Sequence, residues 1–487
     1  MWYGVSSIAA RFLNYLITPY LTDVYSVADY GRMGAIYAFI SILNVIFTYG
    51  METSYFRFSQ RNDRLDAVNY TATFSLLFST VLLAIVLWLN QGLIADIVTL
   101  RDFPLLIQLS IVIIALDALT TIPFARLRQE GRPKKFAFVR VTGIFLNLGF
   151  TIFFLSFCPR YLHAHPGSWV HAIYDPKINP VSYVLIANII QSAFNVLMLL
   201  PRILPGKGKF DWAFWKEMMI YSLPMMVAGL GGMINETFDR IMLGWWSHGP
   251  QQFKDDQRGV YNACYKLSLL ISLFIQAFRM GAEPFFFKQA GGQNAKFVYA
   301  RVMKFFVITI CVMFLFVSLF LPVWKYFIAP KHWNGLAVVP VLLIANMFLG
   351  IYINLSVWYK VTNRTIAGMW ITLIGSLITL VINYFFIPTY GYMACAWATF
   401  SCYGSMMVIS YIWGQKEYAI PYATKKLTAY MVISIGLFFV HKLVTSLFHG
   451  FTPSVLAGLV LLGAYSLFIF RIERKEFRKL PVVGRYL

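Results

Sequence analysis

Long apolar stretches alternate with short polar segments along the whole of this chain. Fourteen stretches have roughly 17 to 23 mostly apolar residues, so each could cross a hydrocarbon core about 30 Å thick as a helix. They are residues 2–21, 33–49, 70–89, 105–124, 139–157, 181–200, 218–234, 261–278, 305–327, 337–358, 366–387, 392–413, 427–444 and 451–470. This pattern predicts an all-α polytopic membrane protein with 14 transmembrane helices and no large soluble domain.

Positive charge is distributed unevenly between the polar segments. The formal net charge is +21, with 41 lysines and arginines. If the chain starts in the cytoplasm, the even-numbered loops and the C-terminal tail hold 27 of these cations, the odd-numbered loops hold nine, and five lie within helices. Because cytoplasmic loops are enriched in Lys and Arg, both termini are predicted to be cytoplasmic. This asymmetry accounts for the basic composition without a nucleic-acid partner.

Cysteine spacing and loop motifs give no sign of a bound metal or cofactor. The cysteines lie in or beside apolar stretches, without CxxC or histidine-partnered spacing; they are Cys158, Cys264, Cys311, Cys395 and Cys402. Such an arrangement predicts packing thiols rather than a metal site or a disulfide framework. Residues 206–209 read Gly-Lys-Gly-Lys but lack the flanking residues of a phosphate-binding loop. We therefore expect no cofactor.

A polar loop and a weak internal repeat divide the chain. Residues 201–214 contain two prolines and separate six apolar stretches from eight. The spacing Gly-x3-Ala-x-Tyr begins at Gly31, just before the second stretch, and recurs at Gly259, just before the eighth, an offset of 228 residues. This is typical of transporters built from two similar bundles. The predicted domains are a six-helix lobe at 1–208, a second six-helix lobe at 209–420, and an appended helix pair with a basic tail at 421–487.

Charged residues at membrane depth are the candidate functional residues, because a charge there is unfavourable unless it is paired or hydrated. The cations within predicted helices are Arg11, Arg140, Lys266, Arg279 and Lys442. The acids are Asp117 within a helix, with Glu52, Glu236, Asp239 and Glu283 near helix ends. The cations outnumber the deeply placed acids, which predicts an anionic cargo.

Each candidate also has a structural interpretation. Glu236 and Arg240 are four residues apart, as are Arg279 and Glu283, so each pair could neutralise itself on one helix face. Arg279 could also extend towards an interface, and this interpretation is favoured for Lys442.

Arg11 is too central to extend easily and has no acid nearby in sequence, which favours a position lining a hydrated cavity. Lys266 and Arg279 are about 220° out of phase on one helix, so both cannot face one cavity unless the helix bends. Lys266 is the better cargo candidate, since no acidic residue lies three or four positions from it in the sequence. Asp117 and Glu52 are the candidate residues for coupling to an ion gradient.

Helix-breaking residues interrupt the seventh stretch. Pro224 is followed by Gly229, Gly231 and Gly232. Kinked helices often line transporter sites and act as hinges, so Pro224 is a predicted gating position. Close packing of small residues is an equally good explanation of the glycines.

Several local strings together resemble the polysaccharide-flippase branch of the multidrug/oligosaccharidyl-lipid/polysaccharide exporter superfamily, near the Wzx-type flippases. The strings are Tyr3-Gly4, Ser6-Ser7 and Arg11-Phe12-Leu13-Asn14-Tyr15; Arg128 with Gly131-Arg132; Tyr221-Ser222-Leu223-Pro224 and Asp239-Arg240; Pro284 with Lys288; Ile382-Asn383 with Ile387-Pro388 and Gly391; Ala394, Ala396 and Ala398-Thr399; and Ser410-Tyr411 with Gly414-Gln415-Lys416. The resemblance covers nearly the whole chain. It departs at the start, where that family usually has a short basic segment.

This resemblance implies a non-enzymatic, monomeric carrier of the bacterial inner membrane. It would move undecaprenyl-diphosphate-linked oligosaccharide between leaflets by alternating access, for lipopolysaccharide, O-antigen or capsule synthesis. By analogy, Arg11 and the Arg240 region would contact the diphosphate or act in gating, and the appended helix pair would hold the polyprenyl tail. Arg140 and Lys266 join the anion-binding candidates from their positions alone.

Two other classes of protein remain open from the sequence. A multidrug exporter of the same superfamily would share the lobes, but usually has twelve helices and ion-binding acids; Asp117 is the basis for it here. A polytopic polysaccharide polymerase or ligase would use a large outer loop, for which residues 159–180 with His163, His165 and His171 are the candidate.

The position of Arg11 generates the first testable prediction. We expect the Arg11→Ala variant to lose export, because no other nearby charge replaces the mid-membrane cation, and Arg11→Lys to keep part of it. Export is measured for variants matched in membrane abundance. Full export by the alanine variant would remove Arg11 from the mechanism.

Overall fold

The structure is a computed structural model in which residues 9, 12–13, 15–59, 65–203 and 208–478 are described. These residues form helices and connecting turns without any β-strand, which confirms the all-α class. Thirteen helical segments within them are long and apolar enough to cross a membrane. Half of the predicted stretch 2–21 lies outside the described residues, so the predicted count of 14 agrees approximately. The chain is a multi-pass membrane protein.

The helices are numbered here in chain order. They are α1 Thr18–Val24, α2 Val27–Thr48, α3 Met51–Phe58, α4 Leu65–Leu89, α5 Gln91–Val98, α6 Pro104–Gln129, α7 Pro133–Ile152, α8 Cys158–Ala164, α9 Pro180–Ile203, α10 Trp212–Glu236, α11 Asp239–Trp246, α12 Gln251–Gln289, α13 Ala295–Ser318, α14 Leu321–Trp324, α15 Val338–Leu355, α16 Val357–Val361, α17 Thr365–Tyr390, α18 Tyr392–Glu417, α19 Thr424–Leu447 and α20 Phe451–Phe477.

Most long helices extend beyond the apolar stretches that predicted them. Polar residues cap two of these extensions: Ser26 accepts a hydrogen bond from the backbone N–H of Asp29 at the start of α2, and Asp211 accepts one from Phe214 at the start of α10. The largest extension is in α12, which begins at Gln251, ten residues before the apolar stretch. This extension brings several charged residues into the helix.

The break between α2 and α3 lies at Tyr49 and Gly50, which both have positive φ angles of 35° and 73°. A Cβ atom at residue 50 would lie 2.6 Å from the backbone oxygen of Ser222. The left-handed conformation and the close approach of α10 therefore both require glycine here.

The contacts divide the chain into two compact units. Unit 1 comprises Met1–Ala263 and Ile366–Cys402, and unit 2 comprises Cys264–Thr365 and Tyr403–Leu487. In unit 1, α9 packs on α6 and α7, and α10 packs on α2 and α3. In unit 2, α13 packs against α15, α19 and α20. The predicted lobes were defined by a sequence repeat rather than by contacts, and their boundaries stay a prediction.

Within unit 1, the two ends of the sequence repeat lie against each other. A Cβ atom at Gly31 would collide with the backbone of Asp255 and Gly259, and one at Gly259 would collide with the backbone of Val27. Residues 27 and 255 are also separated by 228 positions, so the contact is approximately two-fold symmetric. We call this contact the glycine crossing of α2 and α12. Only glycine allows the two backbones to approach so closely.

Unit 2 contains a carboxylate that joins three helices. Glu473 of α20 is 2% exposed and lies 2.9 Å from Lys304 Nζ of α13 and 2.7 Å from Lys426 Nζ of α19. Tyr430 donates a hydrogen bond of 2.6 Å to the same side chain. We call this group the Glu473 clasp, and it attaches the last two helices to α13.

The clasp generates a prediction about stability. Replacing Glu473 with Gln removes the buried counter-charge of Lys304, which is 15% exposed, and of Lys426, which is 45% exposed. Because the carboxylate is the buried partner, we expect a cost of about 3 kcal/mol, the lower end for breaking a buried ion pair. The apparent melting temperature of the purified protein in detergent should therefore fall clearly.

Glu476→Gln is the matched control, one turn further along α20. Its carboxylate lies 3.2 Å from Arg301, in a half-exposed pair that contributes about 1 kcal/mol or less. Equal losses of melting temperature in the two variants would show that burial of Glu473 has no special effect.

Candidate functional site

The described charged residues within or beside the spans fall into a few groups, of which the largest lies in unit 1. We call it the outer charge network, because the sequence predicts this side to face away from the cytoplasm. Its members are Asp29, Arg32, Asp239, Arg240, Asp255 and Arg258. It joins the start of α2 to α11 and to the start of α12.

Arg258 is at the centre of the network, and its side chain is fully buried. Its guanidinium donates to Asp255 Oδ1 at 3.0 Å, to the backbone oxygen of Arg240 at 2.7 Å and to Thr99 Oγ1 at 2.6 Å. Asp255 is fully buried as well, and its second oxygen lies 2.9 Å from Arg32 Nε. Each buried charge therefore has an opposite charge in direct contact, as burial requires.

Asp29 and Asp239 complete the network at its two ends. Arg32 lies 2.7 Å from Asp29 Oδ1, one turn earlier in α2. Asp239 lies 2.8 Å from Arg240 Nη1 and accepts a hydrogen bond of 2.6 Å from the Tyr261 hydroxyl. The three aspartates balance the three arginines.

The structure decides between the two interpretations of Arg240. A pair with the Glu236 carboxylate four residues earlier was one of them, but the guanidinium contacts the Asp239 carboxylate at 2.8 Å and the backbone oxygen of Glu236 at 2.6 Å. The physical reason is that α10 ends at Glu236 and α11 begins at Asp239, so the two residues are not on one continuous helix. The Glu236 side chain is exposed.

Sequence reasoning missed most of this network. Arg32 and Arg258 counted only as loop cations, because they lie beyond the apolar stretches. One signal was present: Asp29 and Arg32, like Asp255 and Arg258, are three residues apart and share a helix face once the helices extend past their apolar centres.

A second group in unit 1 surrounds Asp117 of α6. Its carboxylate accepts a hydrogen bond of 2.6 Å from Ser192 Oγ of α9. Tyr37 of α2 and Arg140 of α7 both interact with it electrostatically, and Tyr37 accepts a hydrogen bond of 3.4 Å from Asn188. The structure therefore brings the predicted candidates Asp117 and Arg140 together.

On the predicted cytoplasmic side of unit 1, arginines surround two glutamates. Glu52 forms an ion pair with Arg128, whose guanidinium also lies over the ring of Phe56. Glu130 binds Arg126 at 2.9 Å and Arg202 at 2.7 Å. Partial burial alone would raise the pKa of Glu130, but Arg202 and Arg126 outweigh it and hold that pKa below its ordinary value.

Unit 2 contains the predicted pair of Arg279 and Glu283, which the structure confirms at 2.8 Å. Lys360 of α16 also lies 2.5 Å from the same Glu283 oxygen. These three side chains line a cleft between α12 and the α15–α16 segment. Lys360 was not among the sequence candidates, because it was assigned to a loop.

The remaining candidates lie apart from these groups. Arg11 lies outside the described residues. Lys266 is half-buried in the part of α12 that belongs to unit 2. Lys442 is exposed on α19, in keeping with its structural interpretation.

Pro224 lies inside α10, which continues through it to Glu236. Gly229 and Gly231 make close contacts with Val45 of α2 and with Ser376 of α17, as the packing explanation requires. At Gly232, a Cβ atom would have no neighbouring atom within 4 Å, so packing does not require glycine there. A gating role for Pro224 stays a prediction.

These groups present side chains that can hold anions or protons. In the part of the chain that the structure describes, His, Cys, Asp and Glu do not form any cluster of three or more that could hold a metal ion. All five cysteines are buried thiols that are not in disulfides. Arginine and lysine are well suited to bind phosphate oxygens, and tyrosine, serine and asparagine to bind polar groups of a cargo.

The fold is shared with membrane transporters of known structure. Lipid II flippase MurJ in an inward closed conformation matches with a TM-score of 0.70 and 15% identity, over 96% of this chain and 98% of that one. An inward-facing multidrug resistance MATE family transporter of the MOP superfamily matches with a TM-score of 0.60 and 14% identity, over 84% and 95% of the two chains. A MATE in the bent conformation matches with a TM-score of 0.56 and 14% identity, over 89% of this chain and 94% of that one.

Sequence comparison adds the family. Residues 1–289, more than half of the chain, match the family described as Polysaccharide biosynthesis protein. No match to a curated protein was found. This chain accordingly belongs to the polysaccharide biosynthesis protein family.

Proposed function

We propose that this protein is a flippase that moves a polyprenyl-diphosphate-linked oligosaccharide across the bacterial inner membrane. The cargo would be an undecaprenyl-linked precursor of lipopolysaccharide, O-antigen or capsule. The protein would bind the cargo from the cytoplasmic leaflet, change the side on which its cavity opens, and release the cargo outside. The polymer chemistry would be performed by other proteins.

One observation supports the proposal above all others. A member of the polysaccharide biosynthesis family has, over 96% of its length, the fold of a protein named as a lipid II flippase. The likeness establishes the fold alone, and the family name supplies the link to polysaccharide. A lipid-linked saccharide is the cargo class that agrees with both the fold of a lipid II flippase and the family's link to polysaccharide.

The charge distribution agrees with a diphosphate headgroup. Such a group carries about two negative charges, which cannot cross hydrocarbon without a replacement for their hydration shell. Arg11, Arg140 and Lys266 are the proposed cargo cations. The guanidinium of Arg240 is 5% exposed and bound to Asp239, so its proposed contribution is to gating rather than to direct contact with the cargo.

The glycine crossing and the outer charge network are the proposed outer closure of the transport path. They join α2 of the first predicted lobe to α11 and α12 of the second. Gly34 extends the crossing, since a Cβ atom at this residue would lie 3.4 Å from Asn262 Cβ. For cargo to leave on the outer side, this contact would have to open.

The helix pair α19 and α20 is the proposed support for the polyprenyl tail. Both helices expose many large apolar side chains, including Phe439, Leu443, Leu459 and Val460. The Glu473 clasp fixes the pair to α13. A fixed apolar surface would let the tail stay in lipid while the headgroup crosses.

A multidrug exporter is the second candidate function. The MATE neighbours favour it, and Asp117 with Ser192 and Asn188 is the polar group that could bind a coupling ion. The two functions differ in cargo, so drug efflux by cells expressing the protein would support the second and argue against the first.

The proposed closure predicts the behaviour of a disulfide between α2 and α12. Cysteine at residues 34 and 262 would have Cβ atoms close to the ordinary separation of about 3.8 Å, so the Gly34→Cys/Asn262→Cys variant should cross-link on oxidation. Transport should fall to background in the oxidised variant, because the crossing is held shut, and should return after reduction.

The two single-cysteine variants are the controls, since neither can form this bond and the natural cysteines are buried. Cross-linking is measured by gel mobility, and transport is measured in the same preparation. A fully cross-linked protein that still transports would show that the crossing is not a gate.

The proposed cargo predicts a response to membrane potential. Moving one elementary charge through 100 mV is worth about 2.3 kcal/mol, so a doubly charged headgroup leaving a negative-inside compartment gains about 4 to 5 kcal/mol. In proteoliposomes without sodium or proton gradients, a potassium–valinomycin potential should therefore speed outward movement of lipid-linked oligosaccharide.

This assay tests both the function and its energy source. Protein-free liposomes and an Arg11→Ala protein provide the baseline. Failure to move any lipid-linked saccharide under any gradient would contradict the proposed function. Movement that ignores the potential but follows a sodium or proton gradient would instead direct attention to Asp117, Glu52 and Glu236 as coupling residues.

A further inference from the structure

The cleft in unit 2 is a small concave site with both apolar and charged walls. As the side chains stand, its volume is about 10 Å³, so any ligand larger than a water molecule requires Glu283 to move aside. One wall is the end of α12 with Phe278, and the other is the α15–α16 segment with Ile353 and Val357. Arg279, Glu283 and Lys360 lie among these apolar residues. The sequence places the cleft on the predicted cytoplasmic side.

Two cations in this cleft share a single carboxylate. Glu283 Oε1 is 2.8 Å from Arg279 Nε and 2.5 Å from Lys360 Nζ. The three side chains are partly exposed, at 52% for Arg279, 33% for Glu283 and 24% for Lys360. The group therefore has one positive charge in excess and remains accessible to a ligand in the cleft.

The same cleft contains a buried donor without an acceptor. Asn354 is 3% exposed and lines the cleft, and its Nδ2 atom lacks a hydrogen-bond partner. A buried amide left in this way is unfavourable by about 1 to 3 kcal/mol, so such groups usually mark a missing partner. A ligand acceptor in the cleft would satisfy it.

We propose that this cleft binds a phosphoryl anion, with Glu283 occupying the site of the anion in its absence. The phosphoryl group binds Arg279 and Lys360 in place of Glu283, and one of its oxygens accepts a hydrogen bond from Asn354 Nδ2. Displaced from the two cations, Glu283 turns towards solvent, to which it is already partly exposed.

The chemistry of the walls favours a phosphoryl group over other anions. A phosphate presents three or more acceptor oxygens in a tetrahedral arrangement, enough to meet a guanidinium, an ammonium and an amide at once. A single carboxylate such as Glu283 has two oxygens and leaves the amide without a partner. The apolar walls would also suit a phosphate attached to a lipid, and the site would then serve the entry of the proposed cargo.

The test measures anion binding rather than transport, so its outcome is independent of the proposed function. The full-length protein in nanodiscs of neutral phosphatidylcholine is titrated with radiolabelled inorganic pyrophosphate, and farnesyl diphosphate is tested as a competitor. Tighter binding of farnesyl diphosphate would assign the site to a lipid headgroup, and equal affinities would assign it to a free phosphate. Binding of neither overturns the proposal.

Substitutions at the site should change affinity in opposite directions. Glu283→Gln removes the internal competitor and should tighten pyrophosphate binding about tenfold, whereas Lys360→Gln should weaken it about tenfold through the loss of one charge-assisted contact. A purely structural ion pair would give no tightening in the Glu283 variant, and that result overturns the proposal.

Two further variants keep the test decisive if an ion-pair variant folds poorly. Asn354→Leu replaces the unpaired amide with an apolar group of similar size, so the protein should stay folded and bind pyrophosphate severalfold more weakly. Arg364→Gln is the matched control, because Arg364 pairs with Glu417 outside the cleft. Unchanged affinity in Asn354→Leu, or equal weakening in Arg364→Gln, argues against the site.

Discussion

The requirement that a charge inside a membrane span be neutralised by a neighbour governs the structure more than any other interaction. An unpaired charge there is unfavourable by several kcal/mol, and removing one partner of a buried pair is strongly destabilising. Arg258 and Asp255, both fully buried, satisfy this requirement directly. Where the described charges are buried, each has an opposite charge beside it, and the Arg32–Asp255 and Lys304–Glu473 pairs cross between helices. These ion pairs therefore hold together helices that lie far apart in the sequence.

Close packing and charge pairing support each other at the start of α12. The glycine crossing allows α2 and α12 to approach until their backbones touch, and only at that separation does Arg32 reach Asp255. In return, the ion pair fixes the register of the two helices. A larger residue at the crossing would separate the backbones and break the Arg32–Asp255 contact, which would leave each charge only with its partner on its own helix. The repeat at Gly31 and Gly259 thus marks a contact between the two predicted lobes as well as their resemblance.

The sequence predicted the parts of this structure that depend on averages over many residues. Apolar stretches identified the described spans, and the position of Arg279 and Glu283 on one helix predicted their ion pair. Prediction from the sequence was wrong where the position of a charged residue depends on where a single helix begins or ends. Hydropathy cannot show that α12 begins ten mostly polar residues before its apolar stretch, so Asp255 and Arg258 were assigned to a loop. It also could not show that α10 ends at Glu236, which directs Arg240 to Asp239. Lys360 joined the cleft only through the packing of distant segments.

The balance of charge within the outer network has a consequence for how voltage acts on this protein. On α2, Asp29 neutralises Arg32, and on α11 and α12 two aspartates neutralise two arginines. Each of the two surfaces is therefore neutral by itself once the Arg32–Asp255 contact is broken. If the proposed gate opens here, these six side chains would carry no net charge through the membrane field, and so they would contribute no net gating charge. Hyperpolarisation would neither hold the contact closed nor pull it open, and any voltage dependence would have to arise from the cargo or from charges elsewhere in the chain.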